Sequence, residues 1–291
     1  MQYQKIHPKG PEFSRIIAGV WNWADETINE RCIAAALDCG ITTFDHADIY
    51  GKYTIEELFA RILKQQTGLR NKMQLVTKCG IKLKVDNKPE HRIKHYDTSY
   101  AHIIQSVNTS LKNFGTDRID LLLIHRPDPL LNPHEVAKAF DELYEKGKVL
   151  HFGVSNFTAT QFEMLQSFLS MPLVTNQLEV SLFKSDYLFN GVSDVMMKHK
   201  AGIMAWSPLG SGKYFNDLEK MQELGVLADK YKVSTAKLLF AWLLTHPSSL
   251  FPITGTTKTE RIQEAASALE VLLDKQDWFA MLKIIKGADV A

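Results

Sequence analysis

Four residues, Asp45, Tyr50, Lys78 and His125, each stand at or just after the end of a short apolar run, and their types suit a proton-donating site. Asp45 and Tyr50 lie in the segment Ile41 to Gly51, Lys78 closes the run from Met73, and His125 closes the run from Ile119. A free tyrosine, with a pKa of about 10, is a poor proton donor at neutral pH. A neighbouring Lys78 ammonium would favour the phenolate and lower the Tyr50 pKa, while Asp45 would hold that lysine charged and in place. His125 would hydrogen-bond the substrate oxygen and set its approach. In this reading Tyr50 is the acid and the other three support it.

Such residues are far apart in the chain, so the elements around them must bring them together. Short apolar runs recur at Ile16 to Val20, Thr42 to Asp45, Gln74 to Lys78, Leu121 to His125, Val149 to Ser155, Leu173 to Gln177, Ile203 to Ser207 and Leu250 to Thr254. Between them lie segments with helical spacing, such as Ile103, Ile104, Val107, Leu111 and Phe114, or Val136, Ala139, Phe140, Leu143 and Tyr144. Gly40, Gly115 and Gly147 stand just past three of these segments, where helices commonly end. Alternating strands and helices predict a parallel sheet with right-handed crossovers, and eight units predict closure into an α/β (β/α)₈ TIM barrel. The C-terminal strand ends then share one rim, the face on which such barrels build active sites.

An open doubly wound sheet is the rival architecture. Its usual G-x-G-x-x-G fingerprint after the first strand is absent, and the fragment from Gly210 to Phe215 follows the seventh strand instead. Before the first strand, Tyr3 to Ile6 and Phe13 to Arg15 flank Pro8, Gly10 and Pro11, which reads as an N-terminal β-hairpin closing the bottom of the barrel. The least regular stretch, Ile81 to Asp97, reads as a long loop over the rim. Its Lys82, Lys84, Lys88, Arg92 and Lys94, against Asp86, Glu90 and Asp97, would give the mouth a positive bias.

The 291 residues are expected to form a single barrel domain, 1–291. A 45% hydrophobic content supports a sizeable core, and 34 Lys and Arg against 33 Asp and Glu leave a formal charge of +1. No overall basic field exists to hold nucleic acid or an anionic membrane, so a small-molecule partner is expected, with the protein as a monomer. Cys32, Cys39 and Cys79 are too few and of the wrong parity for a disulfide framework, and they form no C-x-x-C pair. The first ten residues lack a signal-peptide core, and no run approaches the ~18 apolar residues of a membrane span. The expected setting is cytoplasmic.

The tetrad Asp45, Tyr50, Lys78 and His125, in that order and at those strand ends, resembles the catalytic set of the aldo-keto reductases. The segments Phe44 to Gly51, Leu122 to Pro129 and Phe152 to Phe157 resemble the bacterial YdhF-type branch, and the likeness runs from about Phe13 to Trp278. It implies reduction of aldehydes or ketones to alcohols with NADPH, without a metal. It places Ser155, Asn156 and Gln177 on the nicotinamide carboxamide, whose amide edge their mixed donors and acceptors suit.

Trp206 matches the family's ring-stacking aromatic, commonly tyrosine. Ser207, Leu209, Ser211 and Gly212 would line the pyrophosphate, with glycines allowing close backbone approach. Gly255, Thr256, Thr257, Lys258 and Arg261 read as a phosphate-binding loop opening a helix. Many relatives carry lysine where Gly255 stands, so the grip on a 2′-phosphate is missing there or has moved to Lys258. Gly19 also falls on the cofactor side, and Trp21 on the substrate pocket. His46 points away from Asp45 by strand alternation and reads as structural, while Asp120 and Asp128 read as local hydrogen-bonding residues. Two other functions stay open: a nucleotide-sensing regulator on the same fold, as the potassium-channel β subunits illustrate, and a barrel hydrolase or isomerase, which would leave the carboxamide set unexplained.

Overall fold

The computed structural model describes residues 1–66 and 68–290. It opens with the antiparallel hairpin β1 (Tyr3–Lys5) and β2 (Glu12–Ser14), in which Tyr3 pairs with Ser14. The next strands are β3 (Ile17–Gly19), β4 (Thr43–Asp45) and β5 (Gln74–Cys79), then a two-residue pair β6 (Ile81–Lys82) and β7 (His95–Tyr96). They are followed by β8 (Leu121–Ile124), β9 (Phe152–Ser155), β10 (Leu173–Glu179), β11 (Gly202–Trp206) and β12 (Leu250–Thr254). Eight of these close into a parallel barrel in the order β3, β4, β5, β8, β9, β10, β11, β12. The eight apolar runs of the sequence are its eight strands, each within a few residues of the expected bounds.

Helices α1 (Glu26–Asp38), α2 (Ile55–Gln65), α3 (Tyr100–Phe114), α4 (Pro133–Glu145), α5 (Ala159–Gln166) and α6 (Val192–Lys198) follow successive barrel strands. α7 (Leu218–Lys230) and α8 (Thr235–Thr245) both precede β12, and α9 (Thr259–Ser267) and α10 (Lys275–Lys286) end the chain. Their starts follow ordinary capping chemistry: Asp25, Ser99 and Thr158 each accept a backbone N–H of the first turn. None of the described helices is long and apolar enough to cross a membrane.

The side-chain period of two decides what faces where. In β5, Val76 joins the cluster inside the barrel, while Leu75 and Cys79 face the helices. Leu121 and Leu123 of β8 likewise point in, and Leu122 and Ile124 point out. By the same alternation Lys78 points in. The hairpin fills the lower mouth with Ile6 and Phe13, which pack with Ile17, Met204 and Phe251, and the Gly202 N–H at the start of β11 donates to the Ile6 carbonyl at 2.7 Å. The 81–97 stretch is not a featureless loop, because β6 and β7 pair at its two ends and tie it to the end of β5.

Phe13 is wholly buried in this plug. Phe13→Ala is expected to cost about 3–5 kcal/mol, the range for a buried phenylalanine truncated to alanine, as read from urea unfolding. A loss under about 0.5 kcal/mol, within the range of a surface substitution, would mean that the hairpin is not part of the core.

Candidate active site

At the C-terminal rim the side chains of β4, β5 and the segment after β4 meet. The Lys78 ammonium is completely buried and donates to Asp45 Oδ2 at 2.8 Å, to the His46 carbonyl at 2.7 Å and to Tyr50 Oη at 3.0 Å. Three acceptors thus saturate its three N–H bonds. His125, directly after β8, sets its ring 6.0 Å from that of Tyr50 at 76°. All four residues named from the sequence are therefore brought together, with the His46 carbonyl as a fifth participant that no side-chain pattern announces.

Burial pushes the Tyr50 hydroxyl above its ordinary pKa, and the opposing pull of Lys78 does not reverse it. The expected lowering by Lys78 is thus present as a contribution but loses to the removal of water around the phenolate. Burial also works against the Lys78 charge, yet Asp45 and then Tyr50 outweigh it, and its pKa ends above the ordinary value. Both protons are accordingly held: an ammonium beside a neutral phenol. Burial drives His125 well below the imidazole range, with Lys78, Arg126 and Lys94 adding to the effect, so its ring is neutral at pH 7.

A second chain of contacts crosses the rim. Trp206 Nε1 donates to Asn156 Oδ1 at 3.1 Å, Asn156 Nδ2 to Ser155 Oγ at 2.7 Å, and Ser155 Oγ to the Gln177 carbonyl at 3.1 Å. Gln177 Nε2 then donates to Asp45 Oδ1 at 2.8 Å. The three residues assigned to a carboxamide and the ring-stacking Trp206 form one chain of contacts, wired into the tetrad through Asp45.

Beyond β11, Ser207, Ser211 and Gly212 have left-handed backbones, and the Ser207 and Ser211 hydroxyls lie 2.8 Å apart. Leu209 packs between the two helix-facing clusters, so its side chain supports this turn. Gly19, at the end of β3, leaves no room for a side chain, since a Cβ would sit 2.8 Å from Ile253 Cγ2.

After β12 the carbonyls of Gly255, Thr256 and Thr257 accept from Asn22, Trp23 and Arg31 respectively, which ties the loop to the segment after β3. Lys258 is the N-cap of α9 and provides no side-chain cap. Lys258 and Arg261 are exposed, and neither enters an ion pair among the described residues. A helix start beside two exposed cations suits a phosphate. Together with the Trp206 face and the amide set, the residues present fit a nicotinamide dinucleotide.

Residues 15–286 match the aldo/keto reductase family. The chain belongs to the aldo-keto reductases. It is 44% identical to the oxidoreductase YdhF of Escherichia coli over 98% of both chains. It is also 44% identical to a 6-dehydroglucose reductase of Agrobacterium fabrum, over 96% of this chain and 97% of that one. Among solved structures it resembles the thermostable aldo-keto reductase Tm1743, in complex with the inhibitor epalrestat, with a TM-score of 0.84 and 25% identity over 98% of this chain and 100% of the other. The chain is thus an oxidoreductase of this family on a (β/α)₈ barrel.

Within this aldo-keto reductase, Trp21 is 62% exposed and stands edge-on to Tyr50, with ring centroids 6.4 Å apart, so it belongs to the rim and not to the core. His46 is buried between Phe59 and Phe114, with neither ring nitrogen partnered among the described residues, and plays the structural part expected of it. Asp120 binds Arg70 and the Leu75 N–H, and Asp128 binds Thr98 and the Leu130 N–H, both locally. Lys82 lies 4.0 Å from Asp97, which offsets part of the positive bias of the 81–97 segment.

Sequence reasoning passed over Arg126, whose guanidinium lies 5.6 Å from the Trp206 ring centroid. Its only signal was its place next to His125. It also passed over the carboxyl pair Asp48 and Glu56 behind the tetrad. Glu56 accepts from Thr77, Ser110 and Asn113, whereas Asp48 accepts from Ser106 and has no hydrogen-bond partner on Oδ1 among the described residues.

Burial, reinforced by Glu56, raises the Asp48 pKa from 3.8 to about 8. A carboxyl raised on folding binds more protons in the native state between those values, so its contribution to stability falls as pH rises through that window. Asp48→Asn should therefore flatten the decline in melting temperature between about pH 4 and pH 8 relative to the parent protein. Identical slopes would mean that Asp48 titrates normally.

Proposed function

We propose that this barrel reduces aldehydes or ketones to alcohols with NADPH, with Tyr50 as the proton donor. The observation that carries the reading is the buried Lys78 ammonium, held by Asp45 and the His46 carbonyl and donating to Tyr50 Oη at 3.0 Å. NADPH, when bound, supplies the hydride that goes to the carbonyl carbon. Tyr50 hydrogen-bonds the carbonyl oxygen and gives it a proton as negative charge develops there. The Lys78 ammonium stabilises the phenolate left behind, Asp45 keeps that ammonium in place, and neutral His125 orients the oxygen with an N–H. Ser155, Asn156 and Gln177 hold the carboxamide, Trp206 stacks on the ring, and the turn from Ser207 to Gly212 takes the pyrophosphate.

Lys258 and Arg261 take the 2′-phosphate in this reading. The name of the Agrobacterium relative makes an oxidised sugar the first substrate to screen. Trp21 on the rim would cover the substrate. A monomeric, single-domain, cytoplasmic enzyme completes the proposal, and the three free cysteines suit the reducing setting of the cytoplasm.

Tyr50→Phe removes only the transferable proton. It should leave NADPH affinity within a few-fold while lowering kcat by roughly 10² or more, the scale of general-acid catalysis. Turnover of a good substrate at the parental rate would show that another group is the acid.

Lys258→Ala together with Arg261→Ala should weaken NADPH about ten-fold or more and NADH far less, because only NADPH carries the phosphate these charges would bind. Equal losses in fluorescence titrations would reassign the pair to support of α9.

A further inference from the structure

The proton-donor reading leaves open what holds the turn that carries Tyr50. The three residues after it, Gly51, Lys52 and Tyr53, are all left-handed, with φ of +56°, +57° and +73°. Only glycine takes this conformation freely, because a Cβ meets the following carbonyl oxygen. Gly51 could not be exchanged in any case: a Cβ would lie 2.7 Å from Ile55 Cγ1 and 2.9 Å from Thr54 Oγ1. Lys52 and Tyr53 do carry side chains, so the turn is strained immediately beside the candidate acid, and such strain persists only where surrounding contacts over-determine it.

Those contacts come from the 81–97 segment. The Tyr53 hydroxyl accepts the Leu83 N–H at 2.9 Å and lies 3.5 Å from the Ile81 carbonyl. Asn87 Nδ2 donates to the Lys52 carbonyl at 2.9 Å. The Lys88 ammonium sits 5.5 Å from the Tyr53 ring centroid, and the His91 ring packs against the same tyrosine at 6.3 Å. The segment is itself pinned, by the pairing of β6 with β7 and by a 2.8 Å hydrogen bond between His91 Nδ1 and the Leu83 carbonyl. The turn's own bonds, such as Thr54 Oγ1 to the Gly51 carbonyl, reach nothing outside it.

We propose that Tyr53 is a positioning residue: its hydroxyl fastens the strained turn to the 81–97 segment and so fixes the Tyr50 hydroxyl against Lys78. The proposal rests on Tyr50 being the acid. It gives the long segment at the mouth a part in catalysis, since loosening the segment loosens the donor.

The test is steady-state kinetics with NADPH and 4-nitrobenzaldehyde, far below the melting temperature of every variant. Tyr53→Phe keeps the ring against Lys88 and His91 and loses only the hydroxyl. It should lower kcat by roughly 10- to 100-fold, the scale of a misplaced reacting group, with the KM for NADPH unchanged. Adding Lys52→Gly, which accepts the left-handed conformation without strain, should restore most of the lost kcat. Asn87→Ala, which removes the second tie, should lower kcat in the same sense by a smaller factor.

Parental kcat in Tyr53→Phe overturns the proposal, and so does a loss that Lys52→Gly leaves untouched. Tyr50→Phe measured alongside separates the two readings. If it is inactive while Tyr53→Phe is not impaired, only the positioning role falls. If Tyr50→Phe itself turns over normally, the acid assignment falls and takes this proposal with it.

Discussion

A lysine ammonium with no solvent exposure, Lys78, is the constraint on which the rest of the site depends. An uncompensated buried charge is among the most destabilising defects a fold can carry, and removing one partner of a buried pair typically costs about 3–5 kcal/mol. Each acceptor around Lys78 is therefore a structural requirement before it is a chemical one. Asp45 must end its strand beside β5, the backbone after it must turn so that the His46 carbonyl faces inward, and Tyr50 must return over the rim to close the set. The contacts that make the barrel tolerate the charge are the same ones that hold the Tyr50 hydroxyl at the rim.

From that point the polar wiring extends in two directions. On one side Asp45 takes a second bond from Gln177, which connects the tetrad through Ser155 and Asn156 to Trp206. On the other side Asp48, in the segment between β4 and α2, and Glu56, in the first turn of α2, face α3, where the hydroxyls of Ser106 and Ser110 meet them. Hydrophobic packing alone would have filled that layer at lower cost. The buried carboxyls instead tie the tetrad-bearing segment to its neighbouring helices.

Much was legible in the chain itself. Eight apolar runs separated by helical periods required a parallel α/β arrangement, and the order of Asp45, Tyr50, Lys78 and His125 along those runs was enough to place them on one rim. The polar character of Ser155, Asn156 and Gln177 near the ends of successive apolar runs was equally visible, although Ser155 and Gln177 are buried and β10 continues to Glu179.

What the sequence determined by itself was periodicity and residue type: which positions alternate inward, which runs are strands, and which ionisable groups sit at their ends. Tertiary structure alone decided the balance of energies among those groups. The charge on Lys78 pulls the Tyr50 pKa down, yet burial outweighs it, because desolvation depends on every atom packed around the hydroxyl and not on the nearest charge. The His46 carbonyl as a ligand, Gln177 on Asp45, Arg126 over Trp206 and the clasp of 81–97 on Tyr53 were likewise beyond reach of the chain. Each joins elements whose separation is set by barrel closure, and backbone groups and side-chain directions of that kind leave no mark in a one-dimensional pattern.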